Sequence, residues 1–461
     1  MRKAVTLKEQ LLQPRHSDGS EANHGIQTMK QVLRTLLLIT TLFLTCVANA
    51  AVKINHWQTS NGSDVYFVEN HDLPIIDVAV NFPAGSARDT KATSGVAGVT
   101  RYMMTLGAAG MNEEVITNKF ADIGAILGGE LDNDRAAFKL RTLTSESTKA
   151  LETFSQILHQ PDFPQAVLER EKTRIIAGLK ESATQPESIS SKAFMQALYP
   201  NHPYGLDESG EVDTITAMKR DDLITFYSTF YSAKSASIGL IGDMTEAQAR
   251  TIADSISAGL PQGAAVPKIA EVTLPAAANN QSINHPATQA HILLGYPGIK
   301  RGDADYWPLY VGNYILGGGG FVSRLTEEVR EKRGLVYSVY SYFMPMAELG
   351  PFQIGLQTKK DQAGAALKVV NATVATYIKN GPTEKELKAA KGNLIGGFPM
   401  RIDSNGKILD YLSVIGFYKL PLSYLDDFNQ QIAKVTTKQI KDAFSRRVKP
   451  EYFVSVTVGA E

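Results

Sequence analysis

Cysteine is almost missing from this chain: Cys46 is the only one among 461 residues. One thiol cannot close a disulfide within the chain, so the fold has to be held by its apolar cores. Cys46 also falls in an N-terminal segment read below as a leader, so the mature chain has no thiol nucleophile. No Gly-x-Ser-x-Gly elbow occurs either, which argues against a serine or cysteine hydrolase. Neither sign of charge is in excess, with 47 basic against 47 acidic residues. The longest basic block is a short patch, Ser445-Arg446-Arg447. Nucleic acid and anionic membrane surfaces are therefore excluded as expected partners. Apolar runs are short as well. The longest, Thr35 to Val47, falls below the ~20 residues that a helix needs to span a bilayer.

That run has another use. Met29-Lys30-Gln31-Val32-Leu33-Arg34 gives it a basic start, and Ala48-Asn49-Ala50 ends it with the small-x-small pattern of a secretory cleavage site. Residues 1–28 are polar and unlike a leader, which makes Met29 a candidate start. Residues 1–50 are thus expected to be an extension and signal peptide, with the mature chain beginning at Ala51 and free of the membrane. Leu44-Thr45 before Cys46 is not the small-residue context that lipidation prefers.

The remaining length exceeds the ~250–300 residues that one core supports, so two domains are expected. The segment 259–280, rich in Pro, Gly, Ala and Asn around Pro261, Pro267 and Pro275, reads as a linker with a short strand over Ile269 to Leu274. It separates 51–258 from 281–461. The flanks look like divergent copies of one unit. The first opens with alternating strands: a hairpin turning at Asn61-Gly62 into Val65–Val68, then Ile75 to Phe82. Ala290 to Tyr296 takes the equivalent part in the second. Each closes with a helix and a strand ending in glycine, Ile238–Gly242 and Phe453–Gly459. The expected class is α+β, two homologous domains each with a mostly antiparallel sheet packed with helices.

Candidate ligands are few. His285 and His291 have neither helical i, i+4 spacing nor any zinc pattern, and His202, before Pro203, reads as a structural turn residue. Gly317 to Gly320 lacks the Gly-Lys-Ser/Thr of a phosphate loop and reads as a place of close backbone approach.

Several segments nevertheless fall in a familiar order. Phe82-Pro83-Ala84-Gly85-Ser86-Ala87-Arg88-Asp89 precedes a helix at Ser94 to Met104. Asn201-His202-Pro203-Tyr204-Gly205 follows, then Asp305-Tyr306 through Gly317–Gly320 to Leu325, and then Arg330 to Tyr340. Together they resemble the family of pitrilysin, insulin-degrading enzyme and the mitochondrial processing peptidases, from about residue 55 to the C-terminus. That resemblance implies two-domain chains forming one half of a clam shell. It also implies an inverted zinc motif HxxEH, with two histidines on the metal and a glutamate activating its water. Here the three positions fall on Gly98, Arg101 and Tyr102. The further glutamate ligand falls on Gly178 of a second helix, although Glu171, a supporting acidic residue of the family, is kept. Glycine offers no ligand and a guanidinium cannot act as a base, so no cofactor is expected in this chain.

The resemblance also implies a second half-site, an arginine and a tyrosine that hydrogen-bond the substrate carbonyl. Arg330 and Tyr337 match it, with Arg330 at a helix end, Gly334 as the break and Tyr337 opening a strand; Arg333 is a weaker candidate. One half-site lost and the other kept implies the non-catalytic, substrate-binding subunit of a heterodimeric zinc peptidase. Its zinc would lie on a homologous HxxEH partner, the substrates would be peptides, and the leader points to a bacterial periplasm. The alternative is an inactive scaffold or peptide-binding module of the same fold.

Overall fold

The computed structural model describes residues 52–264 and 266–459; the extension and signal peptide expected over residues 1–50 lie outside them. Strands β1 (Asn55–Gln58), β2 (Asp64–Glu69), β3 (Ile75–Phe82), β6 (Ile126–Leu131), β7 (Ala136–Leu143) and β8 (Ser237–Gly242) form one sheet in the order β1-β2-β8-β3-β7-β6. Between them β4 (Gly107–Ala108) and β5 (Met111–Asn112) make a two-stranded ribbon. The second sheet contains β9 (Asn279–Ile283), β10 (Gln289–Pro297), β11 (Val336–Phe343), β12 (Pro351–Lys359) and β13 (Val454–Val458), in the order β11-β12-β10-β13-β9. Within each sheet a single pair runs parallel, β2 with β8 and β9 with β13; the other pairs are antiparallel.

The two orders are the same once β1 is set aside. In each copy the closing strand, β8 or β13, inserts beside the early strand and pairs antiparallel with the next, β3 or β10. The expected α+β duplication is therefore written in the topology. The Asn61-Gly62 turn joins β1 to β2 as the sequence indicates, with Gly62 at φ +90°.

Two expectations need correction. The strands read as alternating, yet β3 is buried on both faces nearly throughout. Its Val78, Val80 and Phe82 join Val65, Phe67 and Phe138 under helices Ser147–His159 and Arg220–Phe230, through Phe154, Ile157 and Phe226. The opposite face is covered by a helix of the other domain. We number four helices in chain order: α1 (Val96–Met103), α2 (Gln165–Ser182), α3 (Pro186–Leu198) and α4 (Asn405–Phe417). Leu409, Leu412 and Ile415 of α4 pack with Tyr66, Ala79 and Ile241 of the first sheet. In return Phe194 and Leu198 of α3 pack with Leu293, Val454 and Val456 of the second. A sheet covered on both sides loses its polar face. The second correction concerns Ile269 to Leu274, which is irregular rather than a strand. It is held by Ile269 and Val272 against the apolar cluster around Phe194, and by a hydrogen bond between His202 Nε2 and the Ala270 carbonyl at 2.8 Å.

Close helix approach explains Gly416. A Cβ there would lie 2.4 Å from Ser237 Oγ and 2.7 Å from the Tyr66 ring. The contact of the two halves is completed by Asp134, in the turn between β6 and β7. Its carboxylate accepts from Tyr204 Oη, from Tyr418 Oη and from the Ala347 backbone N–H, each at 2.7 Å.

Asp89 anchors α1 in a similar way. Its buried carboxylate accepts from the backbone N–H groups of Gly95 (2.7 Å) and Ala97 (3.1 Å) at the helix N-terminus, where negative charge is favoured. Burial nevertheless pushes its pKa up to about 7, the two backbone bonds offsetting only part of the desolvation.

Two outcomes follow from this packing. Leu412→Ala, in a fully buried position, should lower unfolding free energy by ~2–5 kcal/mol, while Leu422→Ala, 40% exposed, should change it by less than about 0.5 kcal/mol. Urea titration compares them, and equal small effects would mean that α4 does not seal the first sheet. For Asp89, the native state holds the proton more tightly than the unfolded chain, whose aspartate titrates near ~3.9. Its contribution to stability is thus full at low pH and is lost as pH rises from about 4 to about 7. Thermal melts of Asp89→Asn across that window should be flatter than those of the parent chain.

Candidate functional site

Helix α1 presents two faces. Val96, Ala97, Val99, Thr100 and Met103 are buried, leaving Gly98 and Tyr102, one turn apart, on the outward side. Helix α2 lies alongside with Gly178. Gly98, Tyr102 and Gly178 open on one cavity of about 500 Å³, closed further by Leu131 of β6, Arg174 of α2 and Glu208. Three of the four positions read as a lost metal site are therefore gathered. The fourth is not. Arg101 turns to the sheet, where its Nε donates to the Ala137 carbonyl at 3.2 Å and its guanidinium stands 5.3 Å from the Phe138 ring centroid. Burial lowers its pKa, but a guanidinium remains protonated near neutrality.

The cavity's chemistry does not fit zinc. Gly98 and Gly178 contribute no ligand atom, and the guanidinium of Arg174 sits 5.1 Å from the Tyr102 ring centroid, bringing positive charge to the place of the metal. Glu171, whose side chain is 4% exposed, is taken up by Arg170 Nε at 2.8 Å and Arg174 Nε at 2.6 Å. Among the described residues no group of three His, Cys, Asp or Glu side chains could hold a metal ion. His285 Nε2 hydrogen-bonds the Thr184 carbonyl and His291 Nδ1 faces Gln357. His202 Nδ1 accepts from the Tyr204 N–H, which makes Nε2 the donor to Ala270.

Arg174 was not singled out from the sequence, although its position could have been read. It lies four residues before Gly178, hence on the same helical face, and three after Glu171.

Arg330 and Tyr337 line none of this cavity and form a cluster of their own. Arg330 lies on a π-helical segment, Thr326–Glu331, rather than an ordinary helix end. Such wide turns recur at functional positions. Its guanidinium is 5.7 Å from the Tyr337 ring centroid and 4.8 Å from that of Phe321. Among the described residues the carboxylate that pairs with it is that of Glu331, at 3.7 Å, an ion pair too long for a hydrogen bond. Tyr337 is the extra residue of a β-bulge between Val336 and Ser338 in β11, which turns its side chain outward; it is 78% exposed. Gly334, at φ +62°, makes the break before the strand. Arg333, by contrast, is held by Glu328 through its carbonyl at 2.6 Å and its carboxylate at 2.7 Å.

Phe321 was missed in the sequence because a lone aromatic after a glycine run has no period to announce it. The run itself meets the expectation of close approach at Gly317, where a Cβ would lie 2.3 Å from Ser341 Oγ. It is flanked by a second π-helical segment, Tyr314–Gly318.

Comparison with known proteins places the whole fold in a family. Residues 65–209 match the family described as Insulinase (Peptidase family M16), and residues 217–394 the Peptidase M16 inactive domain. The chain is similar to the "Non-peptidase homolog YmxG" of Helicobacter pylori, 27% identical over 419 residues that span 90% of this chain and 95% of that protein. It is also similar to the "Uncharacterized zinc protease YmxG" of Bacillus subtilis, 24% identical over 352 residues, 76% and 85% of the two chains. Relatives thus include proteins named as peptidases and as non-peptidases. Among solved structures, the peptidase M16 inactive domain from Pseudomonas fluorescens superimposes with a TM-score of 0.86 at 38% identity, covering 89% of this chain and 98% of that one. With both halves matched in order and the same fold at that identity, the chain belongs to peptidase family M16, the insulinase family.

Proposed function

We propose that this chain is the non-catalytic, substrate-binding subunit of a heterodimeric zinc metallopeptidase whose zinc lies on a homologous subunit bearing HxxEH. The observation that carries the proposal is the division of the two half-sites. The cavity of Gly98, Tyr102 and Gly178 offers no ligand set, while Arg330 and Tyr337 stand together, outward-facing and free of a hydrogen-bonded carboxylate. A paired guanidinium would be neutralised; one left open can donate to a substrate.

In the complex, the Arg330 guanidinium and the Tyr337 hydroxyl donate hydrogen bonds to the carbonyl oxygen of the scissile peptide as charge builds on it. Metal and base come from the partner, closed against this chain as the other half of a clam shell. The substrate is an extended peptide. β6, the edge of the first sheet, has an unpaired outer backbone on which such a chain can add as a strand. The leader of residues 1–50 supports action in the periplasm. The H. pylori relative named a non-peptidase homologue is consistent with the loss of chemistry in this chain.

The purified chain alone should hold no stoichiometric zinc by elemental analysis after dialysis and should cleave no fluorogenic peptide. One tightly bound zinc per chain would overturn the assignment.

Co-expressed with an HxxEH homologue, the chain should elute as a stable heterodimer with peptidase activity. Arg330→Ala should lower its kcat/KM about 10²–10³-fold, the usual cost of a lost oxyanion donor, with Tyr337→Phe the milder change. Assembled variants that cleave at the parental rate would favour a scaffold with no proteolytic role.

A further inference from the structure

We infer that the cavity between α1 and α2, where the family's metal site has been lost, is a binding pocket for one large apolar side chain of an extended polypeptide. The inference rests on the proposed function only for the polypeptide nature of the occupant.

Its size comes first. About 500 Å³ lies within the ~300–1,000 Å³ of ligand pockets and is ample for an aromatic side chain. The cavity is also kept open against local preference. Gly98 and Gly178 both lie inside helices, where glycine is less favourable than alanine; at Gly98 a Cβ would come 3.2 Å from the Glu208 carbonyl oxygen, a close approach that itself favours glycine. At Gly178 a Cβ would meet nothing within 4 Å, so packing does not require glycine there. What the absent side chain preserves is the space.

The walls then select the occupant. Val99, Leu131, Ile175 and Leu179, with the ring of Tyr102, make the surface mostly apolar. One residue of each charge sign lines it, Arg174 and Glu208. A charged side chain of either sign would meet a like charge as well as an opposite one and would give up its hydration against a mostly apolar wall, whereas a neutral apolar one loses nothing there. Burial, with Asp207 and Asp132 close by, raises the pKa of Glu208, so added negative charge is further disfavoured there.

Two features indicate a chain rather than an isolated small molecule. Leu131 belongs to the open edge strand β6, so a strand added there delivers its side chains to the cavity. The cavity also shares Leu179, Ser182, Glu208 and Ser209 with a second one of about 510 Å³, whose Ser188, Ser191 and Asn133 offer hydroxyl and amide groups to a polar continuation.

The test uses the mature chain and short fluorescein-labelled Ser/Thr peptides carrying a single central Phe, Ala, Lys or Glu, read by fluorescence anisotropy. The Phe peptide should bind about tenfold or more tighter than the Ala peptide, as burial of an aromatic side chain requires. Lys and Glu should give no gain over Ala. Gly178→Leu, which fills the cavity, should reduce the Phe peptide to the affinity of the Ala peptide without lowering the melting temperature. Gly178→Ala, acceptable to any helix, should reduce the preference in part. Equal affinity for all four peptides, no binding of any, or a Phe preference intact in Gly178→Leu would each overturn the inference. Leu422→Ala, an exposed position outside the cavity lining, should leave the Phe preference in place. Failure of the pocket is thus read in this series, and failure of the subunit assignment in turnover of the heterodimer.

Discussion

Asp134 is the point at which the two halves of this molecule are fastened. Its carboxylate sits in the β6–β7 turn of the first domain, almost fully buried. It accepts from Tyr204 in the His-Pro-Tyr-Gly segment, from Tyr418 just beyond α4, and from the backbone of Ala347 in the second domain. Tyr204 in turn accepts from the Glu348 N–H at 3.0 Å. Burying a carboxylate is costly, and desolvation raises the pKa of Asp134 despite its three donors. Such a group is tolerable only while every donor stays in place. The knot therefore resists partial opening, since release of either tyrosine leaves a buried acceptor short of a partner. Around it, α3 and α4 each seal the other domain's sheet, so neither domain has a complete core of its own.

This exchange explains what could and could not be read in the sequence. Helices Glu246–Ala258 and Thr437–Arg447, with Thr-x-x-Gln capping boxes at Thr245 and Thr436, and the strands ending in Gly242 and Gly459 are local patterns, legible without tertiary context. The duplication was visible only loosely, because the feature the copies share most fully is the parallel insertion of β8 and β13, a long-range pairing with no local signature. The burial of β3 on both faces was hidden for a related reason. Asp77 and Asn81 read as the polar side of an alternating strand, but Asp77 is buried in a pair with Arg141 at 2.7 Å, and Asn81 is bonded to Arg135 at 3.1 Å.

The site was legible to a similar depth. Spacing carried over from the family resemblance was enough to name Gly98, Tyr102 and Gly178, because i, i+4 positions on one helix share a face whatever residues occupy them. It was not enough for Arg101. An arginine side chain is long enough to follow its aliphatic stem to an apolar wall, and this one leaves the outward face for Phe138. Arg330 and Tyr337 could be named by the same resemblance, but the means of their presentation could not. A π-helical turn and a β-bulge are one-residue departures from regular geometry with no period in the sequence to announce them.

The retained Glu171 gives the lost site its present form. A carboxylate this deeply buried needs donors on its oxygens; Asp89 and Asp134 take neutral ones, whereas Glu171 takes cations. Arg170 and Arg174 meet the need, one on each oxygen. Arg174 answers a second demand through its guanidinium face, stacking over Tyr102 where a histidine would have stood. Glu171, Arg170, Arg174 and Tyr102 thus form one electrostatic arrangement. Restoring histidine and glutamate at the four lost positions would not by itself recreate a metal centre, because Arg174 would still hold a positive charge beside it and still be bound to Glu171.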